Sequence, residues 1–279
     1  MGREPAGGGV IRLAVRVGAE QAELVLAELI ELAPGGLEER TLPDGSVEYA
    51  IYGAEGELPA LPALRAAAGD ALVEVSTSEL PDGWEERWRD WHRPLDVDGR
   101  AGSLRVRPPW APPRPGALDV VIEPGQAFGT GAHPTTRLCL QLLADLEPSG
   151  SLADWGCGSG ILAVAAAKLG WDPVSGCDVE AASVHATVAA AAANGVALAI
   201  DRRDLRREAG PWAPTVVANL VRPLLLEVAA RLERVPERLL ASGLQLDEVD
   251  EVAAAFAAHG LALAERRDGD GWCAILFAR

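Results

Sequence analysis

Three glycines and two aspartates between positions 154 and 178 carry the clearest chemistry in this sequence: Asp154, Gly156, Gly158, Gly160 and Asp178. The glycines predict a tight turn, because a residue without a Cβ lets the backbone bend sharply and approach a bulky ligand. A helix that follows such a turn points its first N–H groups at that ligand. A carboxylate at the end of a strand can accept hydrogen bonds from both hydroxyls of a ribose. The spacing therefore predicts a site for a nucleoside-like cofactor.

The elements around these residues support that interpretation. Residues 152–155 form a short apolar run that is typical of a buried strand. Residues 161–169 are alanine-rich, with apolar spacing that favours a buried helix, and Gly170 is placed to end it. Residues 173–177 form a second strand that leads into Asp178. Strand, turn, helix and strand predict a cofactor at the carboxyl edge of a parallel sheet.

Two classes of cofactor compete for this turn. Nicotinamide and flavin dinucleotides prefer G-x-G-x-x-G, whereas position 161 is isoleucine and the pattern here is G-x-G-x-G. With Asp154 two residues before the first glycine, the segment resembles motif I of S-adenosylmethionine-dependent methyltransferases, where the carboxylate lies near the methionine end of the cofactor. We therefore expect S-adenosylmethionine, and a tight turn without a ligand is the other alternative.

Two later positions add candidates at the same edge. Residues 215–219 form the predicted fourth strand, and its last residue, Asn219, carries an amide that can contact both the cofactor and an incoming nucleophile. Asn219 is therefore the candidate catalytic residue. Asp204 follows the predicted third strand at 197–200, where a side chain can bind the adenine amine. A solvated surface charge is the alternative for Asp204.

A glycine- and threonine-rich loop at 124–136 precedes the cofactor strand, so it can fold over the site as a lid. Thr135 or Thr136 can cap the helix that begins there and can offer a hydroxyl to the cofactor. His133 is a possible general base. A hydrogen bond within the loop or a packing role is the favoured alternative for His133, because no carboxylate is spaced to orient it.

The chain divides into three predicted parts. Residues 1–79 follow the order βαββαβ of a small α+β ferredoxin-like domain, which is either a substrate-recognition module or a structural appendage. Residues 80–117 are a helical and proline-rich linker, where Trp84, Trp88 and Trp91 share one helix face for packing or for a partner. Residues 118–279 alternate strands and helices, as in an α/β doubly wound Rossmann-like domain.

Composition excludes several classes of function. The net charge of −16 argues against non-specific binding to nucleic acid. It is consistent either with a basic binding partner or with a charge that only keeps the protein soluble. Residues 1–80 alone contain 14 acidic and 5 basic side chains. The four cysteines include no C-x-x-C pair, so we expect buried thiols and no metal ion. Neither a signal peptide nor a run of 18 apolar residues is present, so we expect a cytoplasmic protein without a membrane span.

Several segments resemble those of the PrmA methyltransferases in their order along the chain: FGTGAHPTTRLCL, DWGCGSGILAVAAAKLG, GCDVEAASVHATVAAAAANGV, VVANLVRPL, LLASGL and WCAILFAR. The resemblance covers residues 80–279 well. It implies transfer of methyl groups from S-adenosylmethionine to lysine ε-amines and the N-terminal α-amine of ribosomal protein L11, which the N-terminal domain grips. It places cofactor contacts on Thr136, Gly156, Asp178 and Asn219.

The sequence departs from its relatives at Val221 and Arg222, where smaller residues are usual. The resemblance therefore does not determine the shape of the substrate channel. Methylation of another basic protein or of a small molecule, or a non-catalytic role as an S-adenosylmethionine-binding factor, remains an alternative. Methyltransferases of glutamine amides and adenine amines need an N-P-P-Y motif at the end of the fourth strand. Here Asn219 is followed by Leu-Val-Arg, which argues against both classes. We expect a monomer. Whether free L11 or the assembled ribosome is the substrate stays open.

Overall fold

The computed structural model describes residues 11–22, 25, 26, 29, 32, 38–53, 58–79, 93–124 and 133–279. The chain divides into two compact units, residues 1–91 and 92–279. The predicted tryptophan-bearing helix, with Trp84, Trp88 and Trp91, lies outside the described residues, and so does the part of the predicted lid at 124–136 that runs from 125 to 132.

The first unit contains a four-stranded antiparallel sheet in the order β2-β3-β1-β4. Its strands are β1 (Ile11–Val17), β2 (Glu38–Thr41), β3 (Val47–Gly53) and β4 (Leu72–Glu79), and helix α1 (Leu61–Ala68) precedes β4. Residues 22, 25, 26, 29 and 32, between β1 and β2, are helical. This order and strand arrangement agree with the predicted ferredoxin-like domain.

The core of the first unit joins the sheet to both helical segments. Val15, Leu29 and Leu64 are fully buried, and they come from β1, the segment after it and α1. Tyr49 of β3 is also buried, and its hydroxyl donates to the carbonyl oxygen of Ala22 at 2.8 Å. Burial of these side chains stabilises the small unit, because apolar area is removed from water on one face of the sheet.

The second unit begins with a three-stranded sheet made of β5 (Leu95–Asp98), β6 (Ser103–Arg107) and β7 (Leu118–Val121). Arg107 organises the proline-rich segment between β6 and β7: its guanidinium donates to the carbonyl oxygens of Pro108, Pro109 and Ala111 and to Asp119. Strands β5 and β6 thus occupy part of the predicted linker. The boundaries at 79/80 and 117/118 stay predictions, and the structure divides its two units at 91/92.

A seven-stranded sheet in the order β10-β9-β8-β11-β12-β14-β13 forms the centre of the second unit. Its strands are β8 (Leu152–Trp155), β9 (Val174–Asp178), β10 (Leu198–Arg202), β11 (Thr215–Asn219), β12 (Arg238–Gln245), β13 (Ala262–Gly269) and β14 (Trp272–Ala278). The strands from β8 to β12 run parallel, and β14 is antiparallel to both of its neighbours. The chain order reverses between β8 and β11, which is where ligands bind in open α/β sheets. The doubly wound prediction is confirmed.

The helices of this unit are α2 (Pro134–Asp145), α3 (Ile161–Leu169), α4 (Ala181–Asn194), α5 (Arg222–Ala230) and α6 (Val249–Ala257). The sheet separates two apolar cores: Val217 of β11 packs into the core that contains α3, and its neighbours Val216 and Ala218 pack into the core that contains α6. Left-handed glycines end α3 at Gly170 (φ 112°), as predicted, and α4 at Gly195 (φ 63°). In the described part of the chain, no helix is both long and apolar enough to cross a lipid bilayer.

The turn between β5 and β6 fixes the end of α2. Ala101 donates its backbone N–H to the carbonyl oxygen of Ala144, and a Cβ on Gly99 would lie only 2.4 Å from that oxygen. Asp145, the last residue of α2, accepts from the backbone N–H of Arg100 and from the Arg267 guanidinium of β13. These contacts hold α2 in place, and with it the residues at its first turn.

Candidate active site

The candidate site lies where β8, β9 and β11 end at the carboxyl edge of the sheet. Trp155, the last residue of β8, pairs with Cys177 of β9 on one side and with Ala218 of β11 on the other. The next residue of each neighbouring strand is Asp178 or Asn219. The structure therefore brings two of the predicted site residues to the two sides of the glycine turn.

The glycine turn has a backbone that only glycine adopts without strain. Gly156, Gly158 and Gly160 have φ values of 76°, 52° and 82°, all in the left-handed region. Space is also lacking, because a Cβ on Gly156 would lie 2.3 Å from Leu220 Cδ2, and one on Gly160 would lie 2.9 Å from the Cα of Thr187. Bare backbone is therefore required at these positions.

Asp178 holds the turn through backbone hydrogen bonds. Its Oδ2 accepts from the N–H of Gly158 and its Oδ1 accepts from the N–H of Glu180, both at 3.0 Å. The carbonyl oxygen of Cys177 accepts from the N–H groups of Gly156 and Cys157 at 2.8 and 3.0 Å. Each carboxylate oxygen has more than one lone pair, so Asp178 can fix the turn and still accept hydrogen bonds from a ligand.

Asp154 is a buried carboxylic acid behind the turn, with 1% of its surface exposed. Its Oδ2 accepts from the backbone N–H of Ala163, in the first turn of α3, at 3.1 Å. Its Oδ1 has no hydrogen-bond partner among the described residues. Burial raises the pKa of Asp154 to about 7, and the nearby charge of Asp178 contributes in the same direction.

Asn219 meets the two threonines of α2 on the other side of the turn. Its Nδ2 donates to Thr135 Oγ1 at 3.3 Å and lies 3.5 Å from Thr136 Oγ1. Both threonines are buried, with 1% exposed. The structure thus places Thr136, a predicted cofactor contact, beside Asn219, although the two residues are 83 positions apart.

His133 occupies the cap of α2, so the expectation that Thr135 or Thr136 caps this helix is wrong. The helix begins at Pro134, and His133 Nδ1 accepts from the Thr135 N–H at 3.3 Å. The His133 ring packs edge-on against Trp272, with 4.8 Å between ring centroids. Burial lowers the pKa of His133, which favours a neutral ring. These contacts fit a structural role better than that of a general base.

Asp204 uses its carboxylate within its own turn after β10. Its Oδ1 accepts from the backbone N–H of Arg206 at 3.0 Å, and its Oδ2 pairs with the Arg207 guanidinium at 3.2 Å. This arrangement favours the alternative of a surface charge. An adenine contact for Asp204 stays a prediction.

Two residues that the sequence analysis did not identify complete the support of the turn. Leu220, directly after β11, fills the space beside Gly156, and Thr187 of α4 donates its hydroxyl to the carbonyl oxygen of Gly158 at 3.0 Å. Leu220 could have been found from its position after Asn219. Thr187 could not, because it lies inside a helix with no spacing signal that relates it to the glycines.

Comparison with known proteins identifies the relatives of the chain. The family described as ribosomal protein L11 methyltransferase (PrmA) matches residues 39–279. The chain is 38% identical over 237 residues to a ribosomal protein L11 methyltransferase of Azotobacter vinelandii, over 81% of this chain and 79% of that protein. It is 40% identical over 205 residues to one of Shewanella halifaxensis, over 70% and 68% of the two chains.

A solved structure gives a similar result. The crystal structure of the ribosomal protein L11 methylase from Lactobacillus delbrueckii subsp. bulgaricus is similar with a TM-score of 0.55 at 26% sequence identity. The similarity covers 63% of this chain and 93% of that chain.

The buried Asp154 carboxyl predicts a pH-dependent stability that Asp154→Asn should remove. The ordinary pKa is 3.8 and the folded value is about 7, so between these values the folded protein keeps a proton that the unfolded chain has lost. The free energy of unfolding should therefore fall by about 3 kcal/mol from pH 5 to pH 8 through this group. Above about pH 8 no further loss is expected, because the folded protein has then also released the proton.

Urea unfolding of the full chain at the two pH values, followed by tryptophan fluorescence, measures this effect. Asparagine keeps a side-chain oxygen that can accept from Ala163, so Asp154→Asn isolates the ionisation. The stability of the variant relative to the wild type should improve by the same amount between pH 5 and pH 8. Parallel pH profiles for the two proteins would contradict the assignment.

Proposed function

Since the chain belongs to the ribosomal protein L11 methyltransferase (PrmA) family, we propose that it transfers methyl groups from S-adenosylmethionine to lysine ε-amines and the N-terminal α-amine of ribosomal protein L11. The observation that carries the proposal is the family match from 39 to 279. It spans β2, β3 and β4 of the first unit as well as all of the second. The shared sequence therefore includes residues 39–79 of the segment proposed to recognise the protein substrate, and not the cofactor site alone.

The residues at the sheet edge fit S-adenosylmethionine. The left-handed glycine turn presents backbone without side chains at the carboxyl edge of the sheet, and Asp178 can accept from ribose hydroxyls. The carboxylate of Asp178 supplies negative potential near a cofactor that carries a positive sulfur. The unpartnered, buried Oδ1 of Asp154 fits a polar group of the methionine end. When bound, S-adenosylmethionine supplies a methyl group on a positively charged sulfur that departs as a neutral thioether.

In this proposal each predicted residue has a separate task. Gly156, Gly158 and Gly160 present the backbone to the cofactor, and Asp178 holds the ribose. Thr136 and Asn219 contact the cofactor from the side of α2 and β11. The adenine contact of Asp204 is the least supported part of the proposal, because its carboxylate already accepts within its own turn.

Asn219 is proposed to position the amine that receives the methyl group. The Nδ2 of Asn219 donates to a threonine hydroxyl of α2. The amide oxygen lies on the opposite side of the planar amide group, so it can accept a hydrogen bond from an N–H of the substrate amine. A lysine amine, with an ordinary pKa of about 10.4, must be neutral to react, and desolvation near the site lowers that pKa. Alignment of the two reacting groups supplies much of the remaining acceleration.

The charge of the chain fits a basic protein substrate. The net charge of −16 and the acidic excess of residues 1–80 attract lysine-rich surfaces and disfavour direct contact with the phosphates of RNA. We propose that the protein acts as a monomer in the cytoplasm, where a ribosomal protein is available to it. Analytical ultracentrifugation of the full chain tests the monomer.

The proposed reaction predicts a mass change on L11. Incubation of purified ribosomal protein L11 with the enzyme and labelled S-adenosylmethionine should add about 14 Da per methyl group, localised to lysines or the N-terminus by peptide mass spectrometry. The reason is that each transfer replaces an N–H hydrogen by CH₃. Incubation without enzyme is the control. An unchanged mass, with cofactor binding intact by calorimetry, would leave the cofactor site in place and reject L11 as the substrate.

Asp178→Ala should weaken S-adenosylmethionine binding by about 100-fold, because two hydrogen bonds to a charged acceptor are lost. Isothermal titration calorimetry measures the dissociation constant directly. Asp201→Ala is the matched control, since Asp201 stands on the neighbouring β10, is exposed and pairs with Arg203. Equal affinities for all three proteins would reject Asp178 as the ribose ligand.

Asn219→Ala should act mainly on turnover. A misplaced amine costs about 100-fold in rate, so kcat with saturating L11 should fall by that factor. The affinity for S-adenosylmethionine should fall less, because the turn and Asp178 remain. Steady-state methyl transfer and calorimetry on the same preparation separate the two effects. If the variant kept both its turnover and its affinity, Asn219 would have no role in the site.

A further inference from the structure

Helix α4 buries three polar side chains beside its buried alanines and exposes Val188, which is unusual for a surface helix. Thr187 is fully buried, and Ser183 and Asn194 are 4% and 8% exposed, whereas Val188 is 51% exposed. Burial of a polar group is unfavourable unless the group forms hydrogen bonds. A helix with this arrangement therefore implies that its buried polar groups have specific partners.

The partners are backbone groups of two other segments. Asn194 Oδ1 accepts from the N–H of Val121 at 2.8 Å, and its Nδ2 donates to the carbonyl oxygen of Val121 at 2.7 Å, as a neighbouring strand would. Thr187 Oγ1 donates to the carbonyl oxygen of Gly158 at 3.0 Å and lies 3.2 Å from Cys157 Sγ. Asn194 thus supports β7, and Thr187 contacts the glycine turn itself.

The contact of Thr187 fixes the orientation of one peptide group in the turn. In a trans peptide the C=O and the N–H point in opposite directions, so a Gly158 carbonyl that faces α4 directs the Ser159 N–H away from α4. The N–H of Gly158 is fixed separately by Asp178 Oδ2 at 3.0 Å. Both backbone polar groups of Gly158 are therefore held by side chains from β9 and α4.

Cys157 completes a short chain of hydrogen bonds behind the turn. Burial raises the pKa of its thiol, which therefore stays protonated. The Thr187 hydroxyl has one proton, which it donates to Gly158, and its oxygen can accept from the Cys157 thiol. Hydrogen bonds in such a chain strengthen one another in a buried environment.

Helix α4 packs so closely against the turn that a side chain at Gly160 has no space. A Cβ on Gly160 would lie 2.9 Å from the Cα and from the Cγ2 of Thr187. The methyl group of Thr187 therefore packs beside Gly160, and its hydroxyl sets the orientation of the Gly158–Ser159 peptide. Valine retains the first property and loses the second.

We propose that Thr187 is a positioning residue of the cofactor site, whose hydroxyl orients the Gly158–Ser159 peptide and thereby sets the affinity for S-adenosylmethionine. The inference rests on the proposed function, because it assumes that the turn binds this cofactor. Thr187 is fully buried, and its hydroxyl contacts Gly158 and Cys157. It acts on the ligand through the backbone of the turn, so it should govern cofactor binding and leave the transfer step unchanged.

The test compares three variants of the full chain: Thr187→Val, Thr187→Ser and the matched control Val188→Thr. Thr187→Val removes the hydroxyl at constant shape, Thr187→Ser keeps it, and Val188→Thr makes the reverse exchange on the exposed face of the same helix. Calorimetry with S-adenosylhomocysteine and S-adenosylmethionine should show a dissociation constant about 10-fold higher for Thr187→Val, or about 1.4 kcal/mol. The other two variants should bind within about two-fold of the wild type.

Kinetics and thermal unfolding separate positioning from general destabilisation. For Thr187→Val, KM for S-adenosylmethionine should rise about 10-fold while kcat at saturation changes by less than about two-fold. Wild-type affinity in Thr187→Val, whatever its melting temperature, would overturn the proposal, as would equally weak binding by Thr187→Ser. If Thr187→Val did not fold, Thr187→Ala would carry the same expectation. Failure of the wild type to bind either ligand would reject the cofactor site, and this inference with it.

Discussion

The two hydrogen bonds accepted by Asp178 are the interaction on which the site depends, because they join segments that follow different strands. One links the carboxylate to Gly158, in the turn after β8, and the other links it to Glu180, immediately before α4. A charged acceptor makes both bonds stronger than bonds between neutral groups. The group proposed to hold the ribose therefore also holds the protein around it, so binding and local order share one carboxylate.

Much of the fold was predictable because its signals are local. Left-handed glycines end α3 and α4, and strands β11 and β12 each contain an apolar run, so a short window of sequence identifies these elements. The residues of β5 and β6 carry no such local pattern, and five prolines follow β6 between positions 108 and 115. These strands are stabilised by contacts between distant positions, such as the pair Arg105–Asp96, which no local pattern reveals.

The site was predictable where strand order determines it and unpredictable where single hydrogen bonds do. Asp178 and Asn219 end strands on either side of β8, so the rule for parallel sheets places both at one edge. The cap of α2 depends on which residue precedes the first helical turn, and His133 takes that position instead of a threonine. Thr187 was missed because helical periodicity ranks side chains by hydrophobicity, whereas its partner is a backbone carbonyl 29 positions away.

The contact between Leu220 and the glycine turn limits how this sequence can diverge. Leu220 Cδ2 occupies the space that a Cβ at position 156 would need, and Gly156 has a left-handed backbone as well. A mutation at 156 would therefore have to overcome both a strained backbone and an occupied space. Loss of the large side chain at 220 would relieve only the second. Gly156 therefore stays constrained even where a smaller residue replaces Leu220, because its left-handed backbone alone disfavours any side chain.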